Sequence, residues 1–425
     1  MKTVNVAIMG LGTVGGGTYD ILTQNRDYIK RTQGVDIAVK RVLDRDRERV
    51  LGRGVSPSAF TDNIENVVSD SSISIVIETM GGVEPAKSFI IKSLESGKSV
   101  VTANKELIAK HWHELERCAK AHGAGLYFEA SCVGGVPVIR TLTESMQANR
   151  VCELYGIING TTNYILTKMT EEGLSYETAL REAQQLGYAE FNPSADVDGF
   201  DAMYKLSILS SLAFHTSVPY TSVYREGITR VTAGDIKCAR DLGYVIKLLA
   251  IGRRNGDKIE ARVHPTFVPV DHPLASVRGA FNAVLLTGDF VDDIMLYGRG
   301  AGARPTGSAI VSDVVFCAKR TEHEYTDFGI SDKAGEDVDS SGDFTSKYYI
   351  SLTAFDRAGV LSAVSKVLAG YGVSISTVLQ KGSGGETANI TFLTHEAGEK
   401  SVSAALSEIE KLEYVRSVDS LIRCL

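Results

Sequence analysis

Four carboxylates fall within one short stretch, at Glu190, Asp196, Asp198 and Asp201, and Pro193 and Gly199 mark that stretch as a loop. The position of its glycine and the missing distal glutamate do not fit an EF-hand calcium loop. The helix that follows puts Asp201 and Lys205 at i and i+4, on one face, with the acid N-terminal to the base. On a solvated helix such a pair contributes little. Here the stripe continues into Ile208 and Leu212, so the face is packed and the ammonium is held beside its carboxylate. Hydride transfer to a carbonyl leaves negative charge on oxygen, and a cation within hydrogen-bond reach stabilises that charge and delivers the proton. Lys205 can do both, and in reverse it acts as base on the alcohol. The surplus carboxylates imply a cationic group on the substrate. Glu190 and Asp196 can bind an α-ammonium by charge-assisted bonds. The indicated substrate class is an amino-acid aldehyde or alcohol.

A hydride needs a carrier. Gly10-Leu11-Gly12-Thr13-Val14-Gly15 fits GxGxxG, follows a strand that starts at Val4 and opens a helix. Gly10 permits the tight turn, Gly12 lets backbone approach a pyrophosphate, and Gly15 allows close helix–strand packing. The N-terminus of the helix that follows attracts the anion, and Thr13 and Val14 within the turn are further candidate cofactor contacts. The second strand ends at Leu43-Asp44-Arg45-Asp46-Arg47. An acid there bonds a ribose 2′-hydroxyl and favours NAD, whereas an arginine pairs with a 2′-phosphate and favours NADP. Asp44 and Arg45 offer both. Thr102-Ala103-Asn104-Lys105-Glu106 lies between a strand and a helix, where ligands of open parallel sheets sit, so Lys105 points at cofactor or at a substrate carboxylate. His111 and His113 flank the single tryptophan, Trp112, but positions i and i+2 on a helix do not face each other. His215 ends an apolar helix and reads as a cap or core residue. No serine sits in a GxSxG elbow.

These groups need a frame. Strand-like runs at Val4–Met9, Val35–Leu43, Ile73–Ile77, Ser99–Thr102 and Leu126–Glu129 alternate with helical stretches at Thr18–Tyr28, Glu84–Ser96 and Glu106–His122. That alternation predicts βαβ units and a Rossmann-type, doubly wound parallel sheet in an α/β class, over residues 1–130. Residues 131–304 read as an α+β substrate and dimerisation domain. It has helices at Tyr176–Leu186, Ala202–Ala213 and Ala233–Leu242 and strands at Ala261–Phe267 and Asn282–Thr287. A glycine-rich turn, Gly298 to Ala303, leads through Pro305 into a helical run, Ser308–Ala318, expected to pack back on the first domain as a return helix over 305–320. Residues 321–345 are polar and read as a linker. Residues 346–425 give the order βαββαβ, a small ferredoxin-like unit.

Of the 425 residues, 44% are apolar and 23% charged, which excludes disorder as the main state. The net charge of −7 argues against a nucleic-acid groove or an anionic membrane surface as partner. No apolar run has the length a bilayer span needs, and Met1-Lys2-Thr3-Val4 leads straight into a strand without room for a signal peptide. The six cysteines form no CxxC pair, which suits a reducing cytoplasm and gives no structural zinc signature.

Taken together, these residues resemble the homoserine dehydrogenase family. The match includes Gly10 to Gly15, Thr102-Ala103-Asn104-Lys105, Glu129-Ala130-Ser131, Gly156 to Tyr164, Gly187-Tyr188-Ala189-Glu190, Asp198 to Asp201 with Lys205, and Gly300-Ala301-Gly302 before Pro305-Thr306. The resemblance implies NAD(P)-dependent interconversion of L-aspartate 4-semialdehyde and L-homoserine, in threonine and methionine biosynthesis, with NADP favoured by Arg45. It gives Lys205 the role of proton donor and acceptor, with Asp201 beside it. Glu190, Asp196, Gly160, Thr161, Tyr188 and Lys105 become substrate contacts, Lys105 standing between nicotinamide and substrate, and Gly302 becomes a late cofactor contact. It also implies a structural sodium ion at Glu129, Cys132, Gly134 and Val136, where only the carbonyl of Cys132 would be needed. The tail resembles an ACT domain, with Asp356-Arg357-Ala358-Gly359-Val360-Leu361 as its first βα turn. The implied effector is L-threonine, received at Asp356, Gly359, Val360 and Leu361. A purely dimerising role is the alternative for this unit. A homo-oligomer, dimer or tetramer, is expected. Two other readings stand beside the dehydrogenase: a non-catalytic sensor of a dinucleotide and an amino acid, which would not need Lys205, and another ACT-bearing dehydrogenase of amino-acid metabolism. One acting on a phosphorylated hydroxy acid should carry an arginine and a histidine at the reacting carbon.

Overall fold

Strand residues that are apolar on both faces must lie in a sheet covered twice. The Thr3–Met9 strand meets that condition, since Val6, Ala7, Ile8 and Met9 are completely buried. The computed structural model describes residues 3–319, 328, 330, 338–339, 342–382 and 385–425. In it this strand lies inside a six-stranded sheet ordered Phe60–Thr61, Asp36–Leu43, Thr3–Met9, Ile73–Glu78, Ser99–Thr102 and Leu126–Tyr127. Every pairing in it is parallel. The chain winds outward from Thr3–Met9 in both directions, and the reversal opens a crevice at the carboxyl ends, beside Met9 and Glu78.

The first helix starts at Thr13 rather than Thr18 and stops at Gln24, and a second helix, Arg26–Gln33, follows a break at Asn25. Gly15, Gly16 and Gly17 are poor helix formers, which hides this start in the sequence. Packing keeps them helical. The Ala303–Lys319 helix lies so close that a Cβ on Gly17 would stand 2.2 Å from the Ala303 carbonyl oxygen. Ile310, Val311 and Val314 of that helix share one core with Val6, Ile8 and Leu22, so it closes the first domain.

The middle of the chain forms antiparallel strands in the order Asp292–Arg299, Phe281–Gly288, Val151–Ile157, Tyr244–Asn255 and Lys258–Pro269. The Gly160–Glu172 and Phe200–Phe214 helices pack on this sheet. The C-terminal strands Thr345–Phe355, Ile375–Gly382, Thr387–Thr394 and Val415–Cys424 are antiparallel to one another, with the Val360–Gly370 and Glu399–Ile409 helices packed side by side. The sequence did not foretell their junction with the middle domain. Val415–Cys424 also pairs in parallel with Lys258–Pro269, Thr266 beside Arg423 and Phe267 beside Cys424, so the two sheets merge into one of eleven strands. Phe267 stacks on Tyr349 across this junction at 4.5 Å.

Much of the polar stretch 321–345, including Glu322-His323-Glu324, lies outside the described residues, as do positions 383 and 384 of the glycine turn at 382–385. The described part packs inward. Phe328 meets Trp112 edge-on at 5.6 Å, Val338 bridges to Ile259, and Phe344 stacks on His264 at 5.8 Å. Among the described residues no helix is long and apolar enough to cross a membrane.

Gly17→Ala sets a helix-propensity gain of about 1 kcal/mol against a backbone clash. Because the opposing atom is a main-chain oxygen that cannot swing away, we expect a net loss of about 1–3 kcal/mol in urea unfolding. A stabilised variant would show that the two helices separate freely.

Candidate active site

Gly199, at φ +83°, turns the acidic loop into the Phe200–Phe214 helix, whose first turn carries Asp201 and whose second carries Lys205. Both side chains are buried, at 6% and 8% exposure. Lys205 Nζ donates to Asp201 Oδ2 at 2.7 Å and to the Ile158 carbonyl at 2.9 Å. An ammonium has three donors, so one remains beyond these two partners. Lys105 comes from the other domain, at the start of the Lys105–Ala121 helix, and its Nζ lies 3.3 Å from Asp201 Oδ1. Burial alone would raise the Asp201 carboxyl, but the charges of Lys205 and Lys105 outweigh it and hold the group well below the ordinary carboxylate range. The Asp201 charge in turn raises Lys105.

Asn159 is the residue that sequence reasoning passed over. It caps the Gly160–Glu172 helix, with Oδ1 accepting from Thr162 N at 2.8 Å. Its Nδ2 donates to Asp196 Oδ1 at 2.7 Å and to Asp201 Oδ2 at 2.9 Å, so one amide spaces two carboxylates. The visible signal was an asparagine directly before Gly160-Thr161-Thr162, a helix-start pattern. Thr161 Oγ1 completes the cluster, donating to the Tyr188 carbonyl at 2.7 Å and sharing the same proton with Asp196 Oδ2 at 3.1 Å. Burial and the neighbouring Asp201 push the Asp196 carboxyl up. Gly160 lies against the Ala280 carbonyl. Tyr188 is 40% exposed, with its ring 5.0 Å from that of Tyr164. Glu190 is exposed, and its carbonyl accepts from Gln184; no contact joins its carboxylate to this cluster among the described residues.

On the nucleotide side, Gly10 takes φ +89° and its N donates to Leu43 O at 2.8 Å. A Cβ on Gly15 would stand 1.9 Å from Gly10 O, whereas beside Gly12 there is open space. That is what backbone needs to meet a phosphate. A cavity of about 600 Å³ opens here, lined by Gly10, Gly12, Arg45, Arg49, Thr79 and Gly81 among others. Asp44 does not face it freely. Its Oδ2 accepts from Leu11 N at 2.6 Å, and its Oδ1 accepts from Asp46 N at 2.9 Å and from Arg49 Nη2 at 2.7 Å. Burial works against the Asp44 charge, but these bonds win and lower its pKa. Arg45 is exposed. Beneath the crevice, buried Glu78 accepts from Met80 N at 2.7 Å and from Thr102 Oγ1 at 2.5 Å, and Asn104 Nδ2 donates to Gly82 O at 2.6 Å. Gly302, at φ +116°, immediately precedes the Ala303–Lys319 helix.

Glu129 is buried, and its oxygens accept from Ile139 N at 3.0 Å and Arg140 N at 2.7 Å. Asp313 accepts from Arg140 Nη2 at 2.7 Å and from Glu129 N at 3.0 Å. Burial, with Asp313 adding to it, pushes Glu129 up to about 7. Burial pushes Asp313 up to about 6 and the Cys132 thiol up to about 12. Gly134, at φ +53°, packs against the Gly300 carbonyl, and Val136 O accepts from Val138 N. Among the described residues no three His, Cys, Asp or Glu side chains converge as a metal site. His113 instead bonds Ser217 through Nε2 at 2.9 Å, and His215 ends its helix exposed, at φ +54°. In the C-terminal unit Gly359 takes φ +95° before the Val360–Gly370 helix. Asp356 accepts from Gln380, Val360 is buried and Leu361 is exposed.

Removing a partner from a buried ion pair leaves the other charge uncompensated, so Asp201→Ala is expected to cost about 3–5 kcal/mol at neutral pH. The folded-state pKa of Asp201 is depressed. The wild-type advantage is therefore fully present above about pH 4, the unfolded value, and fades as acid protonates the group. Urea unfolding across pH checks this, and a pH-independent difference would contradict it.

The family model described as homoserine dehydrogenase matches residues 137–315, the one described as homoserine dehydrogenase, NAD binding domain matches 10–129, and the ACT domain matches 348–414. A homoserine dehydrogenase of Synechocystis is 41% identical over 433 aligned residues, covering all of both chains. The crystal structure of a homoserine dehydrogenase from Thiobacillus denitrificans superposes with a TM-score of 0.94 at 41% identity, over 100% of this chain and 99% of that one. A hyperthermophilic archaeal homoserine dehydrogenase in complex with NADPH superposes at 0.64 with 28% identity, over 76% of this chain and all of the other. The chain belongs to the homoserine dehydrogenase family of NAD(P)-dependent oxidoreductases, in the form that carries a C-terminal ACT domain.

Proposed function

We propose that the protein reversibly reduces L-aspartate 4-semialdehyde to L-homoserine, with Lys205 as the group that gives and takes the proton. The observation that carries this reading is the buried Lys205 ammonium, fixed by Asp201 and the Ile158 carbonyl, with one donor unspent. The substrate oxygen gains charge as it is reduced, and that donor meets it. In the other direction Lys205 withdraws the hydroxyl proton, and because oxidation of the alcohol by the nicotinamide releases a proton overall, alkaline pH favours it. A bound nicotinamide supplies the hydride acceptor or donor. Asp196 and Glu190 take the α-ammonium, which relieves the strained charge on Asp196. Lys105 and the helix start at Gly160 and Thr161 take the carboxylate end, and Tyr188 walls the mouth.

NADP is the favoured cofactor. Arg45 and Arg49 both line the nucleotide cavity; Asp44 lines it too, but its oxygens already accept from Leu11, Asp46 and Arg49. The archaeal relative's complex with NADPH is in keeping with this. Thr13, Val14 and Gly302 complete the contacts. Glu129 with the carbonyls of Cys132, Gly134 and Val136 is read as a sodium site; what supports it is that Glu129 and Asp313 bury two carboxyls beside one guanidinium, Arg140, an excess of negative charge that a cation would balance. A hard monovalent cation suits such oxygen ligands. The ACT unit, with Gly359 ahead of a helix N-terminus, is read as the receiver of L-threonine in a cytoplasmic homo-oligomer.

The deciding assay mixes the protein with homoserine and NADP+ at alkaline pH and follows absorbance. Turnover is expected, higher in kcat/KM with NADP+ than with NAD+, and Lys205→Ala should lower it by about 10²- to 10⁴-fold. No turnover, or undiminished turnover in the variant, would defeat the proposal. For the ion, thermal stability near pH 8 should be higher in sodium chloride than in choline chloride of equal strength. Carboxyls raised in the folded state make stability fall as pH rises from about 4 towards their folded values, and a bound cation offsets that loss. The sodium increment should vanish in Glu129→Gln; an equal increment in that variant would place the effect elsewhere.

A further inference from the structure

Arg423 stands on the last C-terminal strand, where that strand meets the middle domain. It is 3% exposed, and its guanidinium is shared between two domains. Nε donates to Glu399 Oε2 at 3.1 Å, and Nη2 donates to Glu399 Oε1 and, at 2.8 Å, to Tyr224 Oη; Nη1 donates to Glu226 Oε2. Tyr348 Oη holds Glu399 in turn, at 2.9 Å. Glu399 and Tyr348 belong to the C-terminal unit, whereas Tyr224 and Glu226 belong to the middle domain. The planar fork of arginine fits both acids at once, and a buried guanidinium needs them both.

Residues 224–228 form a strap. On one side Tyr224 and Arg225 pair with Arg262 and Val263, and Glu226 N donates to Val263 O at 2.8 Å. On the other side the strap lies on the acidic loop. Arg225 donates to the Asp198 carbonyl and stacks 3.6 Å over the Phe200 ring. Ile228 N donates to Val197 O at 2.8 Å. A Cβ on Gly227 would stand 2.3 Å from Val197 O and 2.6 Å from Asp198 Cα, so strap and loop cannot shift independently. Val197 follows Asp196 directly, and Gly199 N donates to Asp196 O at 2.9 Å.

We infer that Arg423 is a positioning residue for substrate: through Glu226 and Tyr224 it fixes the strap, and the strap fixes the Asp196 loop. The inference rests on the reading that Asp196 binds the substrate's ammonium. It gives the C-terminal domain a mechanical route to substrate affinity that bypasses the nucleotide crevice. The route ends on the backbone of the substrate loop, whereas Lys205 stands on the helix beyond it and keeps a bond to the Ile158 carbonyl that does not pass through the loop. The homoserine KM should therefore move while kcat and the NADP+ KM do not.

Steady-state kinetics on the full chain test this. Arg423→Lys keeps the charge but loses the fork, and should raise the homoserine KM by about five- to thirtyfold, with kcat and the NADP+ KM within about twofold. Glu226→Gln, at a site whose side chain is 29% exposed, should move KM the same way and decides alone if Arg423→Lys does not fold. Gly227→Ala displaces the loop directly, so its effect combined with Arg423→Lys should fall short of the product of the two. Wild-type turnover with an unmoved homoserine KM in the folded variants, or a fall in kcat with KM constant, overturns the inference alone. A wild-type protein without turnover overturns the underlying reading and the inference with it.

Discussion

Two lysines and an asparagine converge on a single buried carboxylate, Asp201. In isolation that charge would be costly to bury, as would the Lys205 ammonium, and Lys105 alone would be a weakly placed surface group. Together they fix one another. Lys205 shares a helix with Asp201, Asn159 comes from the end of a sheet strand, and Lys105 comes from the nucleotide-binding domain. The ion cluster is thus both the proposed proton-transfer group and a bond between domains. It sets where the nucleotide crevice faces the substrate loop, and it does so with charge-assisted contacts that tolerate little displacement.

The same logic of shared charge recurs at the junction of the sheets. Arg423 closes the gap between the C-terminal unit and the middle domain as Lys105 closes the gap between the first domain and the second. Both cations reach carboxylates on the far side of a boundary, and both boundaries border the loop from Glu190 to Asp201. The eleven-stranded sheet keeps these contacts in register, because backbone pairing between Phe267 and Cys424 leaves the terminal strand little freedom to slide.

What could be read from the sequence was local. The glycine turn at 10–15 and the Asp201–Lys205 pair are separated by a few residues, so spacing alone fixes their geometry. The strand–helix alternation exposed the parallel sheet for the same reason. What escaped depends on distant partners. The Lys105–Asp201 contact and the parallel pairing of Lys258–Pro269 with Val415–Cys424 leave no mark in either segment. The helix start at Thr13 was masked because three glycines lower propensity where packing against Ala303 overrides it. Asp44 shows a different limit. Its type and place allowed a ribose contact, but side-chain direction was settled by backbone amides and Arg49.

Asp44 also constrains how this protein can change. An acid at the end of the second strand commonly reads the ribose in folds of this topology, so exchanging it is the obvious route to a different redox partner. Here that exchange would remove the brace under Leu11 and loosen the glycine turn at 10–15. Drift or engineering towards another dinucleotide would have to act through the solvent-facing arginines instead. On the proposed reading, discrimination between carriers and integrity of the glycine turn are separable traits, inherited at different positions.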